Sequence, residues 1–211
     1  MYAPSVRDYS NAIDISYSGA IVPGLDTRET LLTAALKILE REGAANFSTR
    51  AVCLLANVTA PTLYHHFGSS DGLLSAAVAE AFRQFLKSKR VAKQSSDPAI
   101  ALRQGWDNYV RFAAERPRLY AVMIGRVLLG ASIPAAEQAR ALHLEHIRAI
   151  AAHGRLAMPV DAAADLAWAS AHAAAILYVT AQGQTPDPAV INGLRDHAMA
   201  AIFKSKLERR T

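Results

Sequence analysis

The segment 48–67, S-T-R-A-V-C-L-L-A-N-V-T-A-P-T-L-Y-H-H-F, carries the side chains best suited to contact a nucleic acid. Helical spacing places small or hydrogen-bonding groups, and no acid, on the outer face of its second helix. Such a face can enter a major groove about 12 Å wide, where it can touch base edges, thymine methyl groups and phosphates. The residues predicted on this face are Ala60, Pro61, Thr62, Tyr64 and His65.

Two short helices with a tight joint must position these groups. Ser48 or Thr49 can cap the first helix, and Asn57 can adopt the left-handed conformation that ends it. Thr59 can cap the second helix, and Pro61 falls in its first turn, where a missing backbone donor does no harm. Two helices joined by about 3–4 residues form a helix-turn-helix. A helical hairpin with a purely structural role has the same spacing, so both interpretations stay open.

A second group of candidate functional side chains lies on the middle and late helices of the chain. Large aromatic rings with a few polar tips are what an apolar small-molecule pocket needs. Each ring can equally belong to an ordinary core, so the sequence leaves both interpretations open. These residues are Trp106, Tyr109, Tyr120, Met123, Trp168 and His172.

His143 and His146, three residues apart, share one face of a predicted helix. They can ligate a metal, or they can offer polar contacts inside a pocket beside Glu145. Because no third ligand is in view, we predict no metal and no cofactor. Phosphate-binding glycine loops, metalloprotease pairs and nucleophile elbows are also missing from the sequence, which argues against an enzyme.

The composition favours a globular all-α protein with a polyanionic partner. Of the 211 residues, 52% are hydrophobic and 19% are charged, and alanine is abundant. The formal net charge of +5 is compatible with nucleic-acid binding without proving it. Cys53 is the single cysteine, so no internal disulfide can form, and we expect a small buried thiol. No uncharged apolar run reaches the roughly 18 residues of a membrane span, and no signal pattern occurs, which predicts a cytoplasmic protein.

Apolar residues recur at helical spacing through most of the remaining chain. Residues 1–26 lack this periodicity and are expected to form an extended or partly disordered arm. The late helices are unusually rich in alanine, which lets another helix approach closely. Helices are predicted over 27–43, 69–91, 97–115, 117–130, 134–153 and 161–182, with a last helix after Pro188.

Three stretches resemble the N-terminal domain of the tetracycline-repressor (TetR) family of bacterial transcription regulators. They are T-R-E-T-L-L-T-A-A-L-K-I-L-E-R-E-G-A from Thr27, the segment 48–67, and S-S-D-G-L-L-S-A-A-V from Ser69. The run L-Y-H-H-F after A-P-T, and T-R opening the preceding helix, are the most specific matches. The chain departs from the family at Asn57, where the family usually has Gly, and at Ser70, where it usually has Lys and a phosphate contact.

The resemblance implies a role for each DNA-facing residue. Thr49 is expected to hold a phosphate and Arg50 to reach a base. The start of the second helix is expected to face bases, with Ala60 limited to methyl contact, while Tyr64 and His66 are expected to reach phosphates. The predicted DNA-binding residues are Thr49, Arg50, Thr59, Ala60, Pro61, Thr62, Tyr64, His65 (base or phosphate) and His66.

The resemblance also implies an all-α fold, in which a three-helix helix-turn-helix domain precedes a larger helical domain for ligand binding and dimerisation. The expected parts are a flexible arm over 1–26, the DNA-binding domain over 27–72 and the regulatory domain over 73–211. The two long helices at the end of the chain are expected to meet their copies in a homodimer. The predicted ligand-binding residues are Trp106, Tyr109, Tyr120, Met123, His143, His146, Trp168 and His172.

The function that the resemblance implies is a ligand-responsive transcriptional regulator, in the first instance a repressor. It would bind a palindromic double-stranded DNA operator as a homodimer and be released by a small-molecule effector. One alternative is a helical small-molecule-binding or enzymatic protein whose helix-turn-helix is only structural, and a second is a sequence-blind DNA-packaging protein. Salt dependence separates the first alternative, because phosphate contacts make DNA binding fall steeply with salt.

Overall fold

The computed structural model describes residues 26–91, 95–181 and 183–204, apart from the side chains of 88–91. Within these ranges every regular element is a helix, and the extended pairing is limited to an isolated bridge between Leu156 and Phe203. The predicted all-α fold is confirmed. The helices are α1 (Thr27–Glu42), α2 (Thr49–Ala56), α3 (Ala60–Phe67), α4 (Ser70–Val91), α5 (Pro98–Glu115), α6 (Pro117–Leu128), α7 (Pro134–Ala152), α8 (Val160–Thr180) and α9 (Pro188–Ile202).

The ends of the two short helices follow from local side-chain chemistry. Ser48 Oγ accepts a hydrogen bond from the backbone N–H of Ala51 (3.2 Å), which makes Ser48 the cap of α2. Asn57 ends α2 in the left-handed conformation (φ 53°, ψ 45°), as predicted. Thr59 holds the N-cap position of α3 but does not cap it with its side chain, because its hydroxyl pairs with that of Thr62 at 2.9 Å.

Helices α1, α2 and α3 pack on the first half of α4 and on α6 around one apolar core. Leu31, Leu39, Val52 and Leu63 in this core have no exposed surface. The core also takes Leu119 from α6, so the three short helices share their interior with the rest of the chain. The predicted domain boundary between 72 and 73 falls in the first turn of α4, and it stays a prediction.

Gly72 fixes the joint between α3 and α4. A Cβ atom at Gly72 would lie 2.1 Å from the Phe67 carbonyl oxygen, which is far inside the range of tolerated contacts. Just before α4, Ser69 Oγ accepts a hydrogen bond from the backbone N–H of Gly72 (2.9 Å). Because Gly72 has no side chain, α4 can start directly against the end of α3. This contact sets the hairpin of α2 and α3 at the start of the long helix.

Helices α5, α7, α8 and α9 form a second core, with α8 at its centre. The buried side of α8 is built from alanines such as Ala163, Ala167 and Ala174, whose small side chains let the neighbouring helices approach closely. Trp106 of α5 supplies bulk at this contact, and its indole N–H donates to Ser170 Oγ of α8 (2.9 Å). Packing and one buried hydrogen bond therefore hold α5 and α8 together.

Helix α8 is also long and apolar enough, by length and composition alone, to cross a membrane. The sequence predicted no such span, so this is a difference from expectation. The core helix of a soluble protein passes the same test, and α8 packs among α5, α6, α7 and α9 with 33% of its most apolar window buried. The predicted arm over 1–26 lies outside the described residues except for Asp26, as does the basic end of the chain after Lys204.

Candidate nucleic-acid interface and ligand cavity

The hairpin of α2 and α3 is held by buried side chains and by hydrogen bonds at its joint. Val52 of α2 and Leu63 of α3 are fully buried in the core that they share with α1. The backbone N–H of Val58 donates to the Cys53 carbonyl oxygen (3.0 Å), which closes the turn after Asn57. Leu63 anchors α3 from the inside, and the opposite face of α3 is left to the surface.

The structure places the predicted DNA-facing side chains on the surface of this hairpin. Tyr64 keeps 46% of its surface exposed, although a ring of this size is usually more buried. Thr49, Thr62 and His66 are half-buried. Every member of the predicted set can therefore reach a partner at this surface. The exposed members are Arg50, Thr59, Ala60, Pro61, Tyr64 and His65.

The hairpin surface carries no negative side chain. No Asp or Glu occurs from Gly43 to Ser70. Arg50 lies in the first turn of α2, where unpaired backbone N–H groups give the helix end a partial positive charge. Arg28 of α1, which lies outside the predicted set, sits over the Phe67 ring at 5.2 Å from its centroid and adds a cation at the edge of the hairpin. The surface is therefore suited to a phosphate backbone.

A cavity of about 820 Å³ lies among α4, α5, α6, α7 and α8, a volume that suits a drug-sized molecule. Its walls are mostly apolar. Four exposed residues of the lining are charged, namely Glu137 and Arg140 on α7 and Asp161 and Asp165 on α8. The predicted ligand-binding residues that line this cavity are Trp106, Tyr109, Tyr120, Met123, His143, His146 and Trp168.

A chain of hydrogen bonds runs through one wall of the cavity. The hydroxyl oxygens of Tyr109 and Tyr120 lie 2.9 Å apart, and the Tyr120 hydroxyl lies 2.7 Å from His172 Nδ1. The His172 ring stacks on Trp168, with 5.1 Å between the ring centroids. His172 does not itself line the cavity. Its place is behind the wall, where it supports Tyr120 and Trp168.

Burial sets the protonation state of this chain of groups. Loss of hydration raises the pKa values of Tyr109 and Tyr120, so both phenols keep their protons at neutral pH. Loss of hydration lowers the pKa of His172 below its ordinary value, so its imidazole is neutral at pH 7. The hydrogen-bonded series of Tyr109, Tyr120 and His172 therefore consists of three neutral groups, each of which can donate and accept a hydrogen bond.

The two histidines of α7 and the single cysteine have structural partners or surroundings. His143 Nε2 lies 2.9 Å from the Ala164 carbonyl oxygen, across the contact between α7 and α8. Within the part of the chain that the structure describes, no group of three His, Cys, Asp or Glu side chains could hold a metal ion. Cys53 is half-buried, less than expected, and loss of hydration raises the pKa of its thiol, which disfavours the reactive thiolate.

The cavity and the hairpin core share a wall. Phe82, Met123 and Ile133 line the cavity and also belong to the core that holds α1, α2 and α3. Met123 was predicted to face a ligand, whereas Phe82 and Ile133 were not. Phe82 lies on α4, and spacing along one helix does not show which other helices cover a given side chain.

Charged side chains of α6 also connect the cavity wall to α1 and α4, the helices against which the hairpin packs. The guanidinium of Arg118 donates to the Arg41 carbonyl oxygen at the end of α1. Arg126 donates from Nη1 to Asp71 Oδ1 (2.7 Å) and from Nη2 to Asp71 Oδ2 (3.2 Å), and also to Ser75 Oγ on α4. The hydrogen bond and charge of Arg126 hold the pKa of Asp71 below its ordinary value. One helix thus contacts the cavity, the end of α1 and the start of α4.

Comparison with known protein sequences covers the hairpin and its surroundings. Residues 31–77 match the family model described as bacterial regulatory proteins, tetR family. The HTH-type transcriptional repressor NicS of Pseudomonas putida is 29% identical over 90 residues, which cover 40% of this chain and 42% of NicS. The chain spans about half the length of the curated relatives it matches.

Solved structures extend the likeness to the whole fold. A TetR family transcription regulator from Marinobacter aquaeolei VT8 is similar with a TM-score of 0.65 and 16% identity, covering 85% of this chain and 96% of that chain. RolR, solved in complex with the ligand resorcinol, is similar with a TM-score of 0.63 and 19% identity, covering 87% of this chain and 91% of that chain. Identities this low show a shared fold.

Three observations point to the same group of regulators. They are the motifs of the hairpin, the family match over 31–77 and the fold of the remaining chain. The family model, NicS and the Marinobacter structure all describe transcription regulators, and none of them indicates an enzyme. Residues 31–77 therefore carry the DNA-binding region of the tetR family of bacterial regulatory proteins, the α2–α3 hairpin is the helix-turn-helix of that region, and the remaining chain shares the fold of TetR family structures.

Proposed function

We propose that the protein is a ligand-responsive transcriptional repressor, which binds a palindromic operator as a homodimer and leaves it when a small-molecule effector fills the cavity. The observation that carries this proposal is the wall of Phe82, Met123 and Ile133, which the cavity and the hairpin core share. An effector that displaces these side chains also disturbs the packing of α1 and α4. Direct contact therefore links the cavity to the core on which the DNA-facing hairpin is packed.

On DNA, α3 lies in the major groove with its exposed face toward the bases. Arg50 and Thr62 reach base edges, Ala60 meets a thymine methyl group, and Thr49 and Tyr64 contact phosphates. In a dimer, two copies of α3 enter successive major grooves about 34 Å apart, and the operator mirrors the two-fold symmetry of the protein. The acid-free, exposed surface of the hairpin supports this docking.

Helices α8 and α9 supply the surface for the second copy. Within one chain, 33% of the most apolar window of α8 is buried. Ala162, Ala169 and Ala173 are exposed at spacings of i, i+7 and i+11, and Val190 of α9 keeps 50% of its surface exposed. A second copy removes this apolar surface from water, and the small side chains let helix axes approach to about 8 Å.

Release requires an effector that favours a conformation with a poor fit to DNA. An effector shifts the equilibrium only by its differential affinity for the two states, and coupling energies of about 1–3 kcal/mol are typical. Helix α6 transmits the change, because Met123 lines the cavity while Arg126 holds Asp71 at the start of α4. The resorcinol bound to RolR supports the expectation that a chain of this fold holds a small molecule.

Two alternatives predict different behaviour on DNA. A helical small-molecule-binding protein with a structural hairpin would bind no DNA, and a sequence-blind packaging protein would show salt dependence without preferring a site. The exposed, acid-free face of α3 favours the regulator over the first alternative. A bacterial regulator of this kind works in the cytoplasm, where the chromosome lies.

The test is a titration of operator DNA with variants of the hairpin. The operator is first identified as a palindrome that the protein protects in the DNA next to its own coding region. The double variant Arg50→Ala, Tyr64→Ala should bind this operator at least about tenfold more weakly, because one good base contact contributes about 1–3 kcal/mol. Arg148→Ala removes an exposed cation from α7 and is the matched control, with little expected loss.

Two results would contradict the proposal. One is unchanged operator affinity in a double variant that is folded by circular dichroism. The other is a stable monomer, measured by analytical ultracentrifugation at the concentration at which the operator is bound. Steep salt dependence of binding with equal affinity for unrelated DNA would favour the packaging protein instead.

A further inference from the structure

The walls of the cavity favour a flat ring compound. Aromatic rings pack on one another by offset stacking or by edge contacts, and such contacts add to the gain from burying apolar surface. Trp106 and Tyr120 are almost fully buried, so their rings are held in place before a ligand arrives. A flat ligand meets rigid partners on several sides. The aromatic residues of the lining are Phe82, Phe85, Trp106, Tyr109, Phe112, Tyr120 and Trp168.

The charges of the lining favour an uncharged ligand. Glu137, Asp161 and Asp165 place three carboxylates against one guanidinium, that of Arg140, at the exposed part of the lining, and like charges there repel an anion. Glu137 also accepts a hydrogen bond from the Ser132 hydroxyl (3.0 Å). Because each of these carboxylates is exposed, a cation in the body of the cavity would lie among apolar walls without a partner.

The Tyr109 hydroxyl is the free end of the hydrogen-bond chain in the cavity wall. Among the described residues its hydrogen-bond partner is Tyr120 alone, whereas Tyr120 also contacts His172. When His172 carries its proton on Nε2, Tyr120 donates to His172 and Tyr109 donates to Tyr120, which leaves the Tyr109 oxygen as an acceptor. When the proton is on Nδ1, the direction of every hydrogen bond in this series reverses, and the Tyr109 O–H is left as a donor.

We propose that the ligand is an uncharged, flat ring compound with a hydroxyl or carbonyl oxygen, and that this oxygen hydrogen-bonds to the Tyr109 hydroxyl. This assignment rests on the proposed function of the cavity as the effector site. A ligand hydroxyl is compatible with either direction of the chain. A ligand carbonyl selects the direction in which His172 carries its proton on Nδ1, because only then does Tyr109 donate.

The test compares 2-naphthol with 2-methylnaphthalene, in which a methyl group of similar size replaces the hydroxyl. Binding to the full chain without DNA is measured by isothermal titration calorimetry, and the readout is the ratio of the two dissociation constants. Tyr109→Phe should shift this ratio against 2-naphthol by about three- to tenfold, the effect of one neutral hydrogen bond. The methyl compound is more hydrophobic than 2-naphthol, but this difference is the same for the unaltered protein and for Tyr109→Phe. It therefore cancels when the ratios of the two proteins are compared.

Two variants serve as controls for site and specificity. Tyr178→Phe removes a hydroxyl from a half-buried tyrosine of α8 that is not part of the lining, and the ratio should not change. Leu142→Trp fills the cavity from α7 and should weaken the binding of every probe by about tenfold or more. Probe binding that survives Leu142→Trp unchanged would place the probes elsewhere and overturn the assignment.

Further probes separate the possible oxygen groups. The ketone 2-acetonaphthone should show the same dependence on Tyr109, and its carbonyl infrared band in the complex with the unaltered protein should lie at lower frequency than in hydrocarbon solvent. This measurement needs no variant, so it also decides the case in which Tyr109→Phe does not fold. The anion 2-naphthoate should bind at least about tenfold more weakly than 2-naphthol.

Three results would overturn the assignment of the ligand class. They are an unchanged ratio of dissociation constants in folded Tyr109→Phe, tighter binding of 2-naphthoate than of 2-naphthol, and a ketone band at its position in hydrocarbon solvent. Operator titration in the presence of each probe is read separately. Probes that bind through Tyr109 without changing operator affinity contradict the effector role but keep the ligand class, whereas release by an anion alone keeps the effector role and rejects the class.

Discussion

The unit of α1 with the α2–α3 hairpin and the cavity are both built from α-helices, but the first has a filled interior and the second encloses open space. In the hairpin, the side chains predicted to contact DNA come from one contiguous segment, 49–66, and lie at the surface over a core in which Leu31, Leu39 and Leu63 are fully buried. In the cavity, the lining side chains come from α4 to α8 and surround about 820 Å³ of open space. The hairpin needs a filled interior to present a surface, whereas the cavity needs an unfilled interior to receive a ligand.

Truncation of one leucine in each region should show this difference most strongly. Leu63→Ala removes a fully buried side chain from the hairpin core and should lower the free energy of unfolding by about 2–5 kcal/mol. Leu142→Ala removes the same atoms from the half-buried cavity wall, where open space already exists, and should cost about 1 kcal/mol. Urea denaturation measures both losses, and equal values would remove the distinction between the two interiors.

The joint between the hairpin and α4 gives the next largest effect. Gly72→Ala brings a Cβ atom to 2.1 Å from the Phe67 carbonyl oxygen, so the backbone must move, and crowding of this kind costs about 1–3 kcal/mol. Operator affinity should fall as well, because α3 is displaced from its place on α4. Gel-shift titration and urea denaturation measure the two effects.

Gly125→Ala is the matched control for this joint. Nothing lies within 4 Å of a Cβ atom at Gly125, which is inside α6, so alanine should raise the free energy of unfolding by about 0.5–1 kcal/mol. If both glycine variants change stability by the same amount, the close contact at Gly72 does not fix the joint.

The pair of Arg126 and Asp71 tests the connection between the two regions. Because the hydrogen bond and charge of Arg126 hold the pKa of Asp71 below its ordinary value, the pair stabilises the fold at pH values above the pKa of an unfolded Asp, about 4. This stabilisation is lost as the pH falls through the lowered pKa of Asp71. Arg126→Gln should raise the titration midpoint of the Asp71 carboxyl toward its ordinary value, as measured by NMR.

Asp97 is the internal reference for that titration. Its pKa is lowered by a hydrogen bond from the Ala99 backbone N–H and by Arg155, far from α6, so Arg126→Gln should leave its midpoint in place. An unchanged Asp71 midpoint would show that the pair does not persist in solution. Effector-induced release from the operator should weaken in the same variant, since one contact between α6 and α4 is lost.

The smallest effect is expected at Asn57, whose left-handed conformation ends α2. Glycine adopts this conformation at lower cost, but it also gives the unfolded chain more freedom, so Asn57→Gly should change stability by a few tenths of a kcal/mol. Asn57→Ala should destabilise by about 1 kcal/mol, because alanine pays the full cost of a positive φ. Thermal unfolding measures both, and a gain from alanine would contradict the role of Asn57 as a helix stop.

The sequence was informative about the hairpin because local chemistry decides its shape. The cap and the stop of α2 depend on neighbours a few residues away: of the two predicted caps, Ser48 and Thr49, the structure shows Ser48, and it confirms Asn57 as the stop. Thr59 is an exception, since its hydroxyl pairs with Thr62 instead of capping α3. The roles of the exposed residues at DNA stay predictions.

The sequence was less informative about the cavity because its shape depends on how separate helices pack. The aromatic residues could be named, but Tyr120 could have filled a solid core as well as a cavity wall. Phe82 and Ile133 were missed because only their contacts with distant helices bring them to the lining. The position of His172 behind Tyr120 likewise depends on the contact of α6 with α8.

The wall of Phe82, Met123 and Ile133 has a practical consequence for anyone who retargets this protein as a biosensor. Substitutions there would also alter the operator affinity of the unliganded protein. A variant with a new inducer specificity would then show leaky expression if this affinity falls, or permanently silent expression if it rises. Leu142 and Trp168 line the same space without belonging to the hairpin core. A library restricted to such positions should change which inducer is recognised while the background expression stays low.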